Sequence, residues 1–118
     1  MTIQEVADRF FQLSQEGKWS EIQDELFSQD AHSVEPPNAQ GLQSAQGLAA
    51  IKQKGQAWNN MIEQIHGGYS GKPQVAGNHF SVPMGIDATL KGVCRSKMDE
   101  IAVYEVKDGK IVKEQFFF

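Results

Sequence analysis

Residues 97–118 read KMDEIAVYEVKDGKIVKEQFFF, and this stretch is the most informative part of the chain. Apolar side chains recur at every second position on both sides of Lys107-Asp108-Gly109, as in two strands joined by a tight turn. Two glutamates interrupt the apolar faces, which consist of Met98, Glu100, Ala102, Tyr104 and Val106 before the turn and Val112, Glu114, Phe116 and Phe118 after it. A carboxylate among apolar neighbours is costly unless it is paired, hydrogen-bonded or open to water. Either both acids lie on a solvated rim, or the sheet curls over a pocket that they line.

The register of this hairpin decides which acids lie together. A two-residue turn pairs Val103 with Glu114, whereas a glycine bulge pairs Ala102 with Glu114. The choice determines whether Asp99 or Glu100 faces inward beside Glu114. We favour the bulge, because it places the apolar residues of both strands, and Glu100 with them, on one side.

Three helices are predicted in the first half of the chain. A capping box over residues 2–5 starts the first helix, and Gly17 is placed to end it. A second capping box over residues 20–23 starts the next helix. Gly47 opens the third helix, in which apolar residues recur at helical spacing up to Ile65.

The rest of the chain is predicted to be mainly strand. A short strand over residues 31–35 is stopped by two prolines, and the polar segment 38–46 reads as a loop. A glycine-rich strand over 67–75 and an alternating strand over 79–90 lead into the closing hairpin. Helices followed by antiparallel strands indicate an α+β fold, with the helices on one face of a curved sheet, in one domain of residues 1–118.

Composition and charge exclude several classes of protein. A length of 118 residues with 40% apolar and 22% charged residues is ordinary for one globular domain. The formal net charge of −4 disfavours nucleic acid or an anionic membrane as a partner. Neither Cys94 nor the scattered His32, His66 and His79 has metal-ligand spacing, so no metal site is predicted. No secretory signal is recognisable, and a cytoplasmic location is expected.

Glu35 is the third acid of interest. It ends the short strand as Val34-Glu35-Pro36, where Pro36 fixes the direction in which the chain leaves. One interpretation is a solvated loop acid. The other is a general base at the mouth of a pocket, with its pKa raised by desolvation or by Glu100 and Glu114.

The whole chain resembles the nuclear transport factor 2-like superfamily and, within it, the SnoaL-like branch. The resemblance rests on the paired N-terminal helices, the strand end SVEP at 33–36, the helix opening GLAAI at 47–51 and the hairpin over 104–112. It implies a cystatin-like α+β fold, in which a curved antiparallel sheet wraps around three N-terminal helices to form a cone with an open end. Members of this superfamily commonly bind a small apolar or aromatic molecule in the cone, and many dimerise through the sheet.

The resemblance also implies a chemistry. Ketosteroid isomerase and the polyketide cyclases related to SnoaL share the fold, and Glu35 corresponds to the catalytic aspartate of the isomerase. The oxyanion-binding tyrosine of that enzyme falls near Phe10, which has no hydroxyl group, and Glu100 is a candidate for its second donor. If this chain catalyses a reaction, the resemblance implies an isomerase or cyclase that needs no cofactor.

We therefore expect a small cytoplasmic protein that binds an apolar or aromatic molecule, with proton transfer at Glu35 and Glu100. The expected binding residues are Trp58, Met84, Tyr104, Glu114 and Phe116. No cofactor, metal, nucleic acid or membrane partner is expected. The chain is expected to form a homodimer. The alternative is a non-catalytic homodimeric interaction module that uses the sheet face bearing His79, Ser81, Asp87 and Thr89.

Overall fold

The computed structural model describes residues 1–39 and 42–118. The helices are α1 (Ile3–Gln15), α2 (Trp19–Leu26) and α3 (Leu48–Met61). The strands are β1 (Phe27–Val34), β2 (Ala45–Gln46), β3 (Ile62–Ser70), β4 (Gln74–Ala76), β5 (His79–Leu90), β6 (Arg95–Lys107) and β7 (Lys110–Phe117). In this described part of the chain, no helix combines the length and the apolar character that crossing a membrane requires.

The sequence predicts a capping box at the start of each of the first two helices, and the structure contains only the first of them. The backbone N–H of Glu5 donates to Thr2 Oγ1 at 3.1 Å, and Glu5 Oε1 accepts from the backbone N–H of Thr2 at 2.8 Å, which confirms the first capping box. Gly17 follows α1 with a φ of +71°, as a residue that ends a helix should. The second capping box is wrong, because α2 already begins at Trp19, before residues 20–23.

The predicted end of the third helix is also wrong. The helix ends at Met61, and the chain passes directly into β3. Ile62 pairs with Leu90, and Ile65 pairs with Ala88 on β5. A spacing of three residues between two isoleucines fits a helix as well as a bulged strand, and here pairing with β5 decides between them.

The strands form one curved, unclosed sheet in the order β2-β1-β7-β6-β5-β3, with β4 also paired to β5. The α+β class is confirmed, but the sheet is mixed, since β1 runs parallel to β7. The strand predicted over 67–75 is divided between β3 and β4, and the strand predicted over 31–35 begins earlier, at Phe27. The loop predicted over 38–46 includes residues 40 and 41, which lie outside the described residues, and it ends in β2.

The closing hairpin has a two-residue turn followed by a bulge. Asp108 and Gly109 both have positive φ, of +52° and +76°, as a type I′ turn requires. The predicted pairing of Ala102 with Glu114 is wrong, because Tyr104 faces Glu114. An extra residue at Val112, between the pairs 106–111 and 105–113, brings the strands into this register.

The bulge changes which residues of β7 face the core. Ile111, rather than Val112, is fully buried, and burial then continues at Glu114. Residues directly opposite each other in a sheet point to the same side. Glu100 lies four residues before Tyr104 on β6 and therefore points to the same side. It shares the concave face with Glu114, whereas Asp99 lies on the convex face.

The concave face of the sheet has two parts. We call the first the packed half, which is fully buried and consists of Phe80, Val82, Ala102, Tyr104, Val106 and Ile111. It lies under α1, where the ring of Phe10 is 5.5 Å from that of Phe80 and 4.7 Å from that of Tyr104. We call the second the open half, whose side chains are only partly buried and consist of Met84, Ile86, Met98, Glu100 and Phe116. The candidate site lies where the two halves meet.

Candidate functional site

Three predicted acids approach each other on the concave face. Glu35 directly follows β1, Glu100 lies on β6 opposite Met84, and Glu114 lies on β7 beside Ser33. The side chain of Glu35 is only 6% exposed, and Glu114 is equally buried. Both Glu35 and Glu114 interact electrostatically with Glu100, so the three carboxyl groups share one site.

A lysine that the sequence analysis did not identify completes the cluster. Lys54, on α3, has a side chain that is 13% exposed, and its Nζ lies 3.5 Å from Glu35 Oε2. The ammonium group donates a hydrogen bond to Ser33 Oγ and lies 5.3 Å from the centre of the Phe116 ring. Ser33 in turn hydrogen-bonds to Glu114. Lys54, Ser33 and Glu114 therefore form a connected polar chain beside Glu35.

Burial sets the protonation of two of these acids. Desolvation raises the pKa of Glu114 to about 7, against the opposing effects of Ser33 and Lys54. Desolvation also raises the pKa of Glu100 to about 7, and the charges of Glu35 and Glu114 add to this rise. Both groups can therefore gain or lose a proton near neutral pH, which is the range in which a general acid or base is most effective.

Glu35 differs from the other two acids in its hydrogen bonding. Its Oε2 atom is buried and accepts no hydrogen bond from any of the described residues. The distance to Lys54 Nζ is suitable for an ion pair, but the geometry leaves Oε2 without a donor. A buried acceptor without a donor is rare in folded proteins and needs an explanation.

The predicted wall residues are placed at different depths. Tyr104 belongs to the packed half, where its ring stacks on that of Phe80 at 5.0 Å. Burial raises the pKa of Tyr104 well above its usual value, and the nearby charges of Glu114 and Glu100 act in the same direction. Met84 and Phe116 are partly buried and pack against the core from the open half. Trp58 is half-buried on α3, one turn beyond Lys54.

Lys54 also lines a depression in the surface. The volume of this depression is about 420 Å³. It lies between α3 and the segment before that helix, and its walls are formed by Leu42, Gln43, Ser44, Ala45, Gln46, Ala50, Gln53, Lys54 and Ala57. Ser44 Oγ also accepts a hydrogen bond of 3.1 Å from the backbone N–H of Glu35, which ties one wall of the depression to the acid. A small molecule in the depression would contact the stem of Lys54.

The sequence contained a signal for both missed residues. Lys54 lies three residues after the buried Ile51, which places it near the inward side of a helix. Ser33 is two residues after the buried Ala31, which places it on the concave face of a strand. Because lysine and serine are mostly exposed in proteins, neither position attracts attention without the structure.

The chemistry available to this cluster is acid–base chemistry. It combines an acceptor oxygen, two carboxyl groups that titrate near neutrality and one ammonium group. Within residues 1–39 and 42–118, no group of three or more His, Cys, Asp or Glu side chains has a geometry suited to a metal ion.

The fold and the site define a class of protein: a cystatin-like α+β domain with ionisable groups where the packed half and the open half of its curved sheet meet. The sequence profile of the SnoaL-like domain matches residues 1–118, and the chain belongs to this family. No curated protein matches the chain.

One solved structure supports the same assignment, and two others share the fold. A Mesorhizobium loti protein, provisionally named as a SnoaL-like polyketide cyclase, is 33% identical over the full length of both chains, with a TM-score of 0.92. TerC, crystallised with polyporic acid, is 18% identical over 98% of this chain and 90% of its own, with a TM-score of 0.75. A protein of unknown function with a cystatin-like fold from Xanthomonas campestris is 19% identical over 99% of this chain and 90% of its own, with a TM-score of 0.69.

Proposed function

We propose that this protein binds a small apolar or aromatic molecule against the open half of the concave face, and that Glu35 transfers a proton to and from this molecule. The observation that carries the proposal is the buried Oε2 atom of Glu35, which has no hydrogen-bond donor among the described residues. A ligand that brings an acidic hydrogen to this oxygen would satisfy it. A general base must lie within hydrogen-bond reach of the proton that it removes, and Oε2 is free to do so.

The surroundings of Glu35 support this function. Met84 and Phe116 supply apolar contact area, and both remain partly exposed. Glu100 is available as a second proton carrier, because its pKa of about 7 leaves it partly protonated at neutral pH. Membership of the SnoaL-like family supports the binding of a small molecule in general. The polyporic acid complex of TerC is one example on the same fold.

Binding can be tested with para-nitroanisole, an aromatic probe without an ionisable proton. We expect the NMR signal of the Met84 methyl group to shift on titration, while the methyl signals of Val82 and Ile111, in the packed half, stay unchanged. The proposal is wrong if the probe, at its solubility limit, shifts no signal of the open half.

Proton transfer can be tested without knowing the natural substrate. Alpha-tetralone is an aromatic ketone whose hydrogens next to the carbonyl exchange with deuterated solvent, and NMR follows this exchange. We expect the protein to accelerate it, and Glu35→Gln to slow the catalysed rate by about a hundredfold or more, as for loss of a general base. Glu63→Gln, which changes an exposed acid on β3, is the matched control. A Glu35→Gln variant that keeps the full rate would remove Glu35 from the chemistry.

We also propose that two copies associate through the convex face of the sheet. Pro83, Ile101 and Phe117 lie side by side on β5, β6 and β7, and Ile101 and Phe117 are 51% and 50% exposed. A contiguous exposed apolar row of this kind is typical of an interaction surface. It also favours this part of the face over the polar positions His79 and Asp87.

Sedimentation tests the association directly. We expect a dimer for the wild-type chain and a monomer for Phe117→Lys, which places a charge in the middle of the apolar contact. A wild-type chain that stays monomeric at high concentration would contradict the dimer, and with it the alternative function as a homodimeric interaction module. The predicted cytoplasmic location is a separate question, for which cell fractionation is the test.

A further inference from the structure

Lys54 has a position that the proposed role of Glu35 does not explain. Its side chain is largely buried, although an ammonium group is strongly hydrated and usually reaches water. It is the cation that acts on both Glu100 and Glu114. Its Nζ contacts Ser33 and lies over the Phe116 ring, so it is held from several sides. The protein thus keeps one positive charge fixed in the site.

The ion pair of Lys54 and Glu35 does not have the geometry of a charge-assisted hydrogen bond. A charge-assisted hydrogen bond between an ammonium and a carboxylate has a length of about 2.7–2.9 Å and satisfies the oxygen. Here the two atoms are 3.5 Å apart, and Oε2 accepts no hydrogen bond from the described residues. An acceptor and a cation therefore lie next to each other, and both can reach a third group.

When a proton is removed from a carbon next to a carbonyl group, negative charge develops on the carbonyl oxygen. A positive group beside this oxygen stabilises that charge. The proton moves to Glu35, the electron pair of the C–H bond becomes a C=C bond, and the carbonyl π electrons move to the oxygen. Returning the proton to the same or to a conjugated carbon restores a neutral carbonyl compound, so no further reactant is needed. Fixed charges and donors at such an oxygen often supply the largest part of the catalytic effect.

We propose that the Lys54 ammonium group binds this anionic oxygen, and that the ligand is therefore an enolisable carbonyl compound or a phenol. Lys54 is then a catalytic residue in its own right. Lys54 also lines the depression between α3 and the segment before that helix. This inference rests on the proposed function, since Glu35 must first remove the proton.

The test uses para-nitrophenol, whose neutral and ionised forms absorb at different wavelengths, together with para-nitroanisole, which cannot ionise. If Lys54 binds the anionic oxygen, the phenol bound to the wild-type protein ionises at a pH lower than in solution, by about one unit for a neighbouring opposite charge. The ionised form should then bind about tenfold more tightly than the neutral form. Lys54→Met should abolish the shift, and it should weaken the binding of the ionised phenol more than that of para-nitroanisole, which has no anionic oxygen.

Controls separate this effect from a general loss of structure. Lys52→Met removes a lysine from the same helix, one that pairs with Asp24 at the surface, and should retain the full shift. Because Lys54→Met leaves the Glu35 carboxylate buried without its cation, the variant can unfold. The comparison of Glu35→Gln with Glu35→Gln/Lys54→Met avoids this problem: the single variant should show the shift, and the double variant should not.

The outcomes distinguish the inference from the proposed function. If para-nitroanisole binds but the spectrum of bound para-nitrophenol is the same with and without Lys54, the role of Lys54 is wrong and the binding function stands. If neither probe binds to the wild-type protein, the proposed function fails and the inference fails with it. A shift that is lost in both Lys54 variants and kept in Lys52→Met supports the inference.

Discussion

The packed half and the open half of the concave face are parts of the same strands, yet they are buried to very different extents. Phe80 and Met84 lie on the same side of β5, four residues apart. Phe80 is 1% exposed beneath α1, whereas Met84 remains partly exposed. The alternation of apolar residues along β5 is the same in both halves. The difference therefore comes from the helix that covers one half and leaves the other uncovered.

The distribution of charge follows this difference. The packed half has only apolar and aromatic side chains, whereas Glu100 lies in the open half and Glu114 lies at the boundary. A carboxyl group under α1 would lose its hydration without a partner. At the boundary it keeps Ser33 and Lys54 as neighbours, and in the open half it can reach water or a ligand. The fold thus separates the residues that stabilise it from those available for chemistry.

The comparison predicts that replacing an isoleucine by alanine lowers the free energy of unfolding by different amounts in the two halves. Ile111→Ala, in the packed half, removes a fully buried side chain and should lower the free energy of unfolding by about 4 kcal/mol. Ile86→Ala, in the open half, should lower it by only about 1 kcal/mol, since its side chain is already partly hydrated. Urea unfolding of the two variants measures both values. Equal losses would mean that the open half is as tightly packed as the other.

A second prediction concerns the cation at the boundary between the halves. Lys54→Met should lower the free energy of unfolding by about 3 kcal/mol at neutral pH, because it leaves the buried Glu35 carboxylate without its counter-charge. Lys52→Met, on the exposed side of the same helix, should change it by less than about 1 kcal/mol. Both values come from urea unfolding. Adding Glu35→Gln to Lys54→Met should restore most of the loss, and a failure to do so would separate Lys54 from Glu35.

Much of the architecture could be predicted from local sequence. The place of a tight turn at Lys107-Asp108-Gly109, the alternation in β5 and the capping box of α1 each follow from short-range chemistry, and the structure confirms them, although the turn has two residues rather than the favoured glycine bulge. The end of α3 could not be predicted in this way. Ile62 and Ile65 fit a helical spacing, and only the pairing with β5, more than twenty residues later in the chain, shows that they belong to a strand.

The three acids of the site could be predicted from the sequence, but the lysine could not. Glu35, Glu100 and Glu114 are conspicuous as acids among apolar residues, and the structure brings them together. The position of Glu100 on the concave face depended on the bulge at Val112, which the turn sequence alone does not specify. Lys54 was missed because a lysine on a helix is normally solvated, and its burial results from long-range contacts with β1 and β7.

A third prediction uses pH to probe the boundary. The pKa of Glu114 is about 7 in the folded protein and 4.5 without its environment, so between these values the folded chain binds the proton more tightly than the unfolded chain. The free energy of unfolding should therefore fall as the pH rises from about 4.5 to about 7, and then level off. Glu114→Gln resembles the protonated acid and lacks this fall.

The expected gain for Glu114→Gln is roughly 3 kcal/mol at about pH 8 and below about 1 kcal/mol at about pH 5, from the size of the pKa shift. Urea unfolding at the two pH values measures it, with Glu63→Gln as the exposed control. If Glu114→Gln destabilises the protein at the higher pH, the ionised carboxylate is better stabilised by Lys54 and Ser33 than its burial suggests.

The smallest effect is expected for Glu100→Gln, and it tests the openness of the open half most directly. Burial raises the pKa of Glu100 in the same direction as that of Glu114, so its contribution to stability also falls as the pH rises towards about 7. Because Glu100 is partly exposed, solvent screens its charge, and the gain for Glu100→Gln at about pH 8 should be below about 1 kcal/mol. The ratio of the two gains measures how far water enters the concave face. A gain for Glu100→Gln that equals or exceeds that for Glu114→Gln would mean that the open half excludes water even without a ligand, and the two halves would then differ in composition but not in hydration.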